Sequence, residues 1–122
     1  NVEDGRKAAM VEWLRNSLQK PGDGQKREIG FLEKIECTNN AIFFHLRSRV
    51  QTFKLSSTQG QPPKIGLYTP DLQGVQFGCG IKPIEFPVVF IYNNKPDAKA
   101  KTAGDLVSLE FVPMSFTLTP QE

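Results

Sequence analysis

The stretch that decides the fold runs from Ile29 to Leu55 and reads IGFLEKIECTNNAIFFHLRSRVQTFKL. Its apolar and polar residues alternate in three short runs, which is the period of half-buried strands. The pair Asn39-Asn40 favours the positive φ angles of a tight hairpin, and Ser48-Arg49 turns the chain a second time. We therefore predict a three-stranded antiparallel meander.

The alternation also predicts which side chains point inward. In the first strand Glu33 shares a face with Ile35, so it is the only acidic strand residue predicted on a core face. In the last strand, Leu106 to Val112, Ser108 and Glu110 are predicted to point outward. The residues predicted to be buried are Ile35, Ile42, Phe44, Leu46, Phe53, Phe90, Leu109 and Phe111.

The N-terminal residues have helical spacing instead. Asp4 is a suitable N-cap for a helix from Gly5 to about Gln19, and PGDG at residues 21–24 ends it. An isolated helix of about 15 residues is marginal in water, so its apolar stripe should pack against the sheet or a neighbouring chain. That stripe is Met10, Val11, Leu14 and Leu18, with Trp13 beside it. We expect residues 1–24 to form a helix and linker, with Gln25–Glu28 also extended linker, and residues 25–122 to form the β domain.

Further strands follow without an intervening helix, which excludes a parallel βαβ architecture. Pro87–Tyr92 is apolar throughout from Val88 and should be a central strand. The prediction is a mainly β fold: a small antiparallel OB-like barrel or strongly bent sheet with one N-terminal α-helix. An open sheet with the helix across one face is the alternative. Shorter segments are predicted at Ile65–Tyr68 and Val75–Phe77, with an edge strand at Phe116–Leu118.

Composition excludes several classes of function. The 122 residues are 39% hydrophobic and 23% charged, as in a soluble single domain. The net charge of +2 provides no field that would attract nucleic acid or anionic lipid. No apolar run approaches the roughly 18–20 residues that span a bilayer.

Four motifs carry a resemblance to a known family: GFLEKIECTNNAIFFHL, YTPDLQGVQFGCG, PVVFIY and GDLVSLEF. In this order they resemble a small β-barrel domain at the C-terminal end of many bacterial tetratricopeptide-repeat and exported proteins. The resemblance covers about two-thirds of the chain. Ile81 stands where the family commonly has Pro, and the N-terminal helix has no counterpart. Because the family has no assigned activity, the resemblance implies an accessory module. We expect an exported or periplasmic location rather than a cytoplasmic one, and a disulfide between the two cysteines would support it.

The two cysteines, Cys37 and Cys79, allow two interpretations. In an exported protein they would form one disulfide, and in a reducing compartment they would be two buried thiols. Together with His45 they supply only three zinc ligands and lack paired short spacing, so no metal site is predicted.

No catalytic motif accompanies the single histidine, and GVQFGCG lacks the ending of a phosphate loop. We predict a non-enzymatic accessory domain without cofactors that mediates protein–protein or envelope-associated contacts, in which the N-terminal helix could take part. Single-stranded nucleic-acid binding is the alternative, because aromatic and basic residues share one predicted face. That candidate binding face consists of Phe43, His45, Arg47, Arg49, Thr52 and Lys54.

Overall fold

A computed structural model of the chain describes residues 2–39, 41–57 and 62–116. The predicted mainly β class with one helix is confirmed. A short 3₁₀ turn occupies Pro70–Leu72. The other elements are the helix α1 (Val2–Ser17) and the strands β1 (Gln25–Cys37), β2 (Ile42–Arg47), β3 (Thr52–Ser57), β4 (Lys64–Leu67), β5 (Val88–Asn93) and β6 (Gly104–Phe111).

The predicted meander is formed by β1, β2 and β3, which pair antiparallel in sequence order. Thr38 and Ala41 close the first turn through a 2.8 Å backbone hydrogen bond, whereas Asn40 lies outside the described residues. The prediction that Gln25–Glu28 is linker is wrong. These residues belong to β1 and pair with β5, because β1 continues past the meander and uses its first half for a second partner.

A bulge in β1 overturns the predicted inward position of Glu33. The pairing with β2 shifts between Leu32 and Lys34, so the strand carries one extra residue there and its side-chain alternation is reset. Leu32 and Ile35 are both buried as a result, although they stand three residues apart. Glu33 is half-exposed and faces Arg47 instead.

The sheet is six-stranded and mixed, with the order β3-β2-β1-β5-β6-β4. The expectation that all strands pair antiparallel is wrong at two places, since β6 runs parallel to both β3 and β4. The β3–β6 pairing, at Leu55 with Gly104 and Ser56 with Asp105, connects two distant strands of the order. The pairings β1-β2-β3-β6-β5 therefore form a ring, and β4 lies outside it.

The main core fills the inner side of this ring. All the predicted core residues are buried except Ile42, which is half-buried and packs against the others. Residues of the YTPDLQGVQFGCG segment cover the core as well, since Leu72 is buried and Phe77 stacks on Phe111 with 5.0 Å between ring centroids. Val75–Phe77 is not a strand, because its chain serves as this cover rather than pairing with a neighbour.

The helix packs on the outer side of β5 and β6. Leu14 and Leu18 are buried against Val89, Val112 and Phe116 in a second apolar cluster. Two predictions about the helix are wrong. It begins at Val2, so Asp4 lies within it, and Met10 is 67% exposed because it falls to the side of the contact.

The segment after β6 lies on the helix side of the sheet. Phe116 is buried without belonging to a strand, and Thr117 and Leu118 lie outside the described residues.

Strands β5 and β6 approach closely at Gly104, where an added Cβ would meet the carbonyl of Asn93. Within the described part of the chain, no helix has the length and hydropathy needed to cross a bilayer.

Candidate functional site

The predicted binding face lies on the outer surface of β2 and β3. Strand pairing sets His45 opposite Lys54 and Arg47 opposite Thr52. Arg49 and Thr52 are exposed at one end of this surface, and Phe43 is half-buried at the other. The structure thus brings Phe43, His45, Arg47, Thr52 and Lys54 onto one face, with Arg49 in the turn at its end. The helix does not cover this face, because α1 packs against β5 and β6.

Two of the basic residues on this face contact acidic neighbours from β1. His45 Nε2 lies 2.9 Å from Glu36 Oε1, and Arg47 Nε donates to Glu33 Oε2 at 3.4 Å. The hydrogen bond from His45 lowers the pKa of Glu36, which keeps the carboxylate charged. These two contacts offset part of the positive charge of the face, to which Arg49 and Lys54 also contribute.

Lys54 connects the face to the loop at residues 94–103. Its ammonium lies 4.3 Å from the centroid of the Phe43 ring, and it donates to the carbonyl of Ala100 at 3.0 Å. A cation over an aromatic ring is stabilised by the ring's quadrupole. Lys54 is thus already engaged, whereas Lys95, Lys99 and Lys101 of the loop are exposed beside it.

The structure brings Cys37 and Cys79 together as a disulfide, with 5.7 Å between their Cα atoms. Gly80 donates its backbone N–H to the carbonyl of Ile35 next to the bond. The disulfide thereby fixes the segment that covers the core to the end of β1. Both cysteines are exposed, so the interpretation as buried thiols does not fit. Across the described ranges, no group of three or more His, Cys, Asp or Glu side chains is arranged to hold a metal.

For Glu110 the sequence predicts the correct side of the strand but not its burial. It lies on the side of β6 opposite the main core, as the alternation predicts, but it is 4% exposed because the end of α1 covers it. Its carboxylate accepts the backbone N–H of Gln19, and the Tyr68 hydroxyl donates to it at 3.5 Å. Burial raises the pKa of the Glu110 carboxyl. Burial, and after it the nearby Glu110 charge, raises the pKa of the Tyr68 hydroxyl. The sequence signal for this burial was the predicted apolar stripe of the helix, because such a stripe has to pack on some surface of the sheet and cover it.

An apolar groove runs between α1 and the segment after β6. We call it the helix–tail groove; its volume is about 200 Å³ and its lining includes Met10, Trp13, Tyr68, Pro113 and Phe116. Trp13 is 60% exposed, and the edge of one ring faces the other in its contact with Tyr68, 6.3 Å between centroids. Sequence reasoning placed Trp13 beside the apolar stripe but did not identify the groove, which residues far apart in the chain create.

No protein-family model, curated protein or solved structure matches this chain. The site therefore has to be interpreted from its own chemistry.

Proposed function

We propose that the chain is a non-enzymatic accessory β domain that contacts another protein through the helix–tail groove. The observation that carries this proposal is the exposure of Met10 and Trp13 beside Tyr68 in an apolar groove. Methionine and aromatic side chains are enriched where proteins meet, and a few such anchors supply most of the binding energy. The accessory role also agrees with the family resemblance in the sequence.

We further infer that the strand ring closes as a small OB-like barrel. Support comes from the five strands of the ring and from the short parallel β3–β6 contact, which fits a partly open barrel. The exposed disulfide supports an oxidising compartment, and with it export from the cytoplasm.

Single-stranded nucleic-acid binding at Phe43, His45, Arg47, Arg49, Thr52 and Lys54 is the second candidate. One observation favours it: the Lys54 ammonium lies over the Phe43 ring, next to the exposed lysines of the 94–103 loop. Aromatic stacking beside cations is how single strands are held without sequence preference. The contacts of His45 with Glu36 and of Arg47 with Glu33 weigh against it, because they occupy two of the six side chains with acidic neighbours.

Site-specific photo-cross-linking in the cells that make the protein tests the first candidate. A benzophenone side chain at position 13 should form one discrete adduct, which Met10→Asp in the same groove should abolish. The same side chain at position 52, on the β2–β3 face, is the matched control and should give none. Absence of an adduct at position 13 would contradict the proposal.

A labelled oligothymidylate tests the second candidate by fluorescence anisotropy. Binding through phosphates weakens steeply as salt is raised. We expect no binding at low salt. Salt-sensitive binding that both Lys54→Ala and Phe43→Ala reduce would instead support nucleic-acid binding at the β2–β3 face.

A further inference from the structure

Among the residues that the structure describes, strand β4 leaves one edge of the sheet open. It pairs only with β6 among the described strands, and its register sets Gly66 beside Glu110. Tyr68, just beyond the strand, donates its N–H to the carbonyl of Phe111. Because backbone groups alternate in direction along a strand, the N–H and C=O groups of Ile65 and Leu67 point away from β6. A free row of donors and acceptors is complementary to another extended backbone.

The two sides of this edge differ: one is apolar, and the other carries Lys64, Gly66 and Tyr68. Ile65 and Leu67 share one side and are 42% and 39% exposed, next to the buried Leu109 and Phe111 of β6. The other side has Gly66, where an added Cβ would stand 3.3 Å from the Tyr68 ring. Because Gly66 has no side chain, a side chain of an added strand would contact the Tyr68 ring directly. Tyr68 leads directly to Trp13, so this side of the edge is continuous with the helix–tail groove.

The length of the edge decides between two occupants. Prolines at 62, 63 and 70 bracket it, and the four residues of β4 span only about 13 Å. Two copies paired edge to edge would bury well under the roughly 1,000 Å² that a stable interface needs. A longer extended segment can pair with β4 and continue past Tyr68 over the groove, which adds contact area. Exposed Lys64 at the start of the edge favours an acidic residue in the segment.

We propose that β4 accepts one extended segment of a partner polypeptide as an added strand, with apolar residues at alternate positions and an acidic residue near Lys64. Backbone hydrogen bonds to Ile65 and Leu67 would supply affinity, and the Ile65 and Leu67 side chains with the Tyr68 ring would select the side chains of the segment. The inference rests on the proposed protein-contact function and names the chemistry of the partner.

A phage-displayed random peptide library, selected on the oxidised domain, supplies the probes. Selected sequences should share the alternating apolar pattern, and their synthetic peptides should slow amide hydrogen exchange at Ile65 and Leu67. Leu67→Pro removes an outward N–H but leaves the bonds to β6, a position where an edge strand tolerates proline. It should weaken peptide binding about tenfold relative to Leu67→Ala, which loses the side chain but keeps the N–H.

Three results would overturn the proposal: no peptide selected, unchanged exchange at Ile65 and Leu67 in the complex, or equal affinity of the Pro and Ala variants. If Leu67→Pro does not fold, N-methylation of the peptide replaces it, and binding should be lost at alternate peptide positions only. The groove is tested separately. Peptides that bind through Trp13 without protecting β4 from exchange would contradict the added strand but not the contact through the groove. Protection of β4 without an adduct at position 13 would contradict the groove contact but not the added strand.

Discussion

The backbone N–H of Gln19 donates to the carboxylate of Glu110, 3.1 Å from Oε1 and 3.3 Å from Oε2. Arg27 of β1 donates to the carbonyl of the same Gln19 at 2.9 Å. Both backbone groups of Gln19, just after α1, are thus held: the N–H by a buried acidic group on β6 and the carbonyl by a basic group on β1. The bond to Glu110 links the end of the helix to a titratable group.

Glu110 should give the stability a defined pH dependence. Burial raises its folded pKa above the ordinary 4.5, so the folded protein binds this proton more tightly than the unfolded chain. Its contribution is therefore fully present below pH 4.5 and is lost as the pH rises through the folded pKa. Glu110→Gln keeps an acceptor for Gln19 and removes the charge. We expect a higher free energy of unfolding at neutral pH and a flatter pH profile, measured by denaturant titration of both proteins. Parallel profiles would contradict this.

Side chains alternate between the two faces of β2, so substitution of its two adjacent phenylalanines should change stability by different amounts. Phe44 is 5% exposed in the main core, whereas Phe43 lies on the outer face under Lys54. Phe44→Ala should lower the free energy of unfolding by about 3–5 kcal/mol, because it leaves a cavity. Phe43→Ala is the matched control and should cost about 1 kcal/mol or less. Equal losses in urea melts would mean that the inward side of the strand is wrongly assigned.

Two apolar residues of α1 should also differ. Leu14 is buried against the sheet, and Leu14→Ala should cost about 2–5 kcal/mol. Met10 is mostly exposed, so Met10→Ala should change stability by about 0.5 kcal/mol at most. Thermal melts with denaturant titrations measure both. Deletion of residues 1–20 should destabilise the domain, since it uncovers Val89 and Val112; an unchanged melting temperature after the deletion would show that the helix is dispensable.

The disulfide should contribute to stability and to local order. The chain-entropy model gives about 4 kcal/mol for a loop with the 42-residue separation of Cys37 and Cys79. Reduction should lower stability by up to this amount and speed amide exchange in residues 73–86 before the sheet. Mass spectrometry of denatured, unreduced, alkylated protein provides the direct check. Two alkylated thiols would show that the native protein lacks the bond.

Local patterns were sufficient for part of this fold. Alternation identified the inward Phe44 and Leu46, the buried run of β5 and the meander, because each depends on neighbours close in sequence. The β1 bulge was not predictable in this way. One extra residue near Glu33 reverses the alternation, and its cause is the pairing with β2 rather than any local preference.

The site was predicted less completely, for the same reason. Five of the six predicted residues do share the outer surface of β2 and β3, whereas Arg49 lies in the turn between them. The contacts of His45 and Arg47 with acidic residues depend on the register with β1. The helix–tail groove, the open edge of β4 and the cover over Glu110 all join residues more than 40 positions apart. Such contacts have no signature in a single sequence beyond an apolar stripe that needs a partner.

The position of β6 has a consequence for how the chain is made. This strand pairs with β3, β4 and β5, and it is the last strand in the described chain. On the ribosome, the earlier strands must wait until Gly104–Phe111 has emerged before the ring can close. During that interval β3 has an unpaired edge, and β4 and β5 lack a neighbour they require. Such exposed strands associate readily with other chains, so the protein should be most prone to aggregate before β6 pairs with the rest of the sheet.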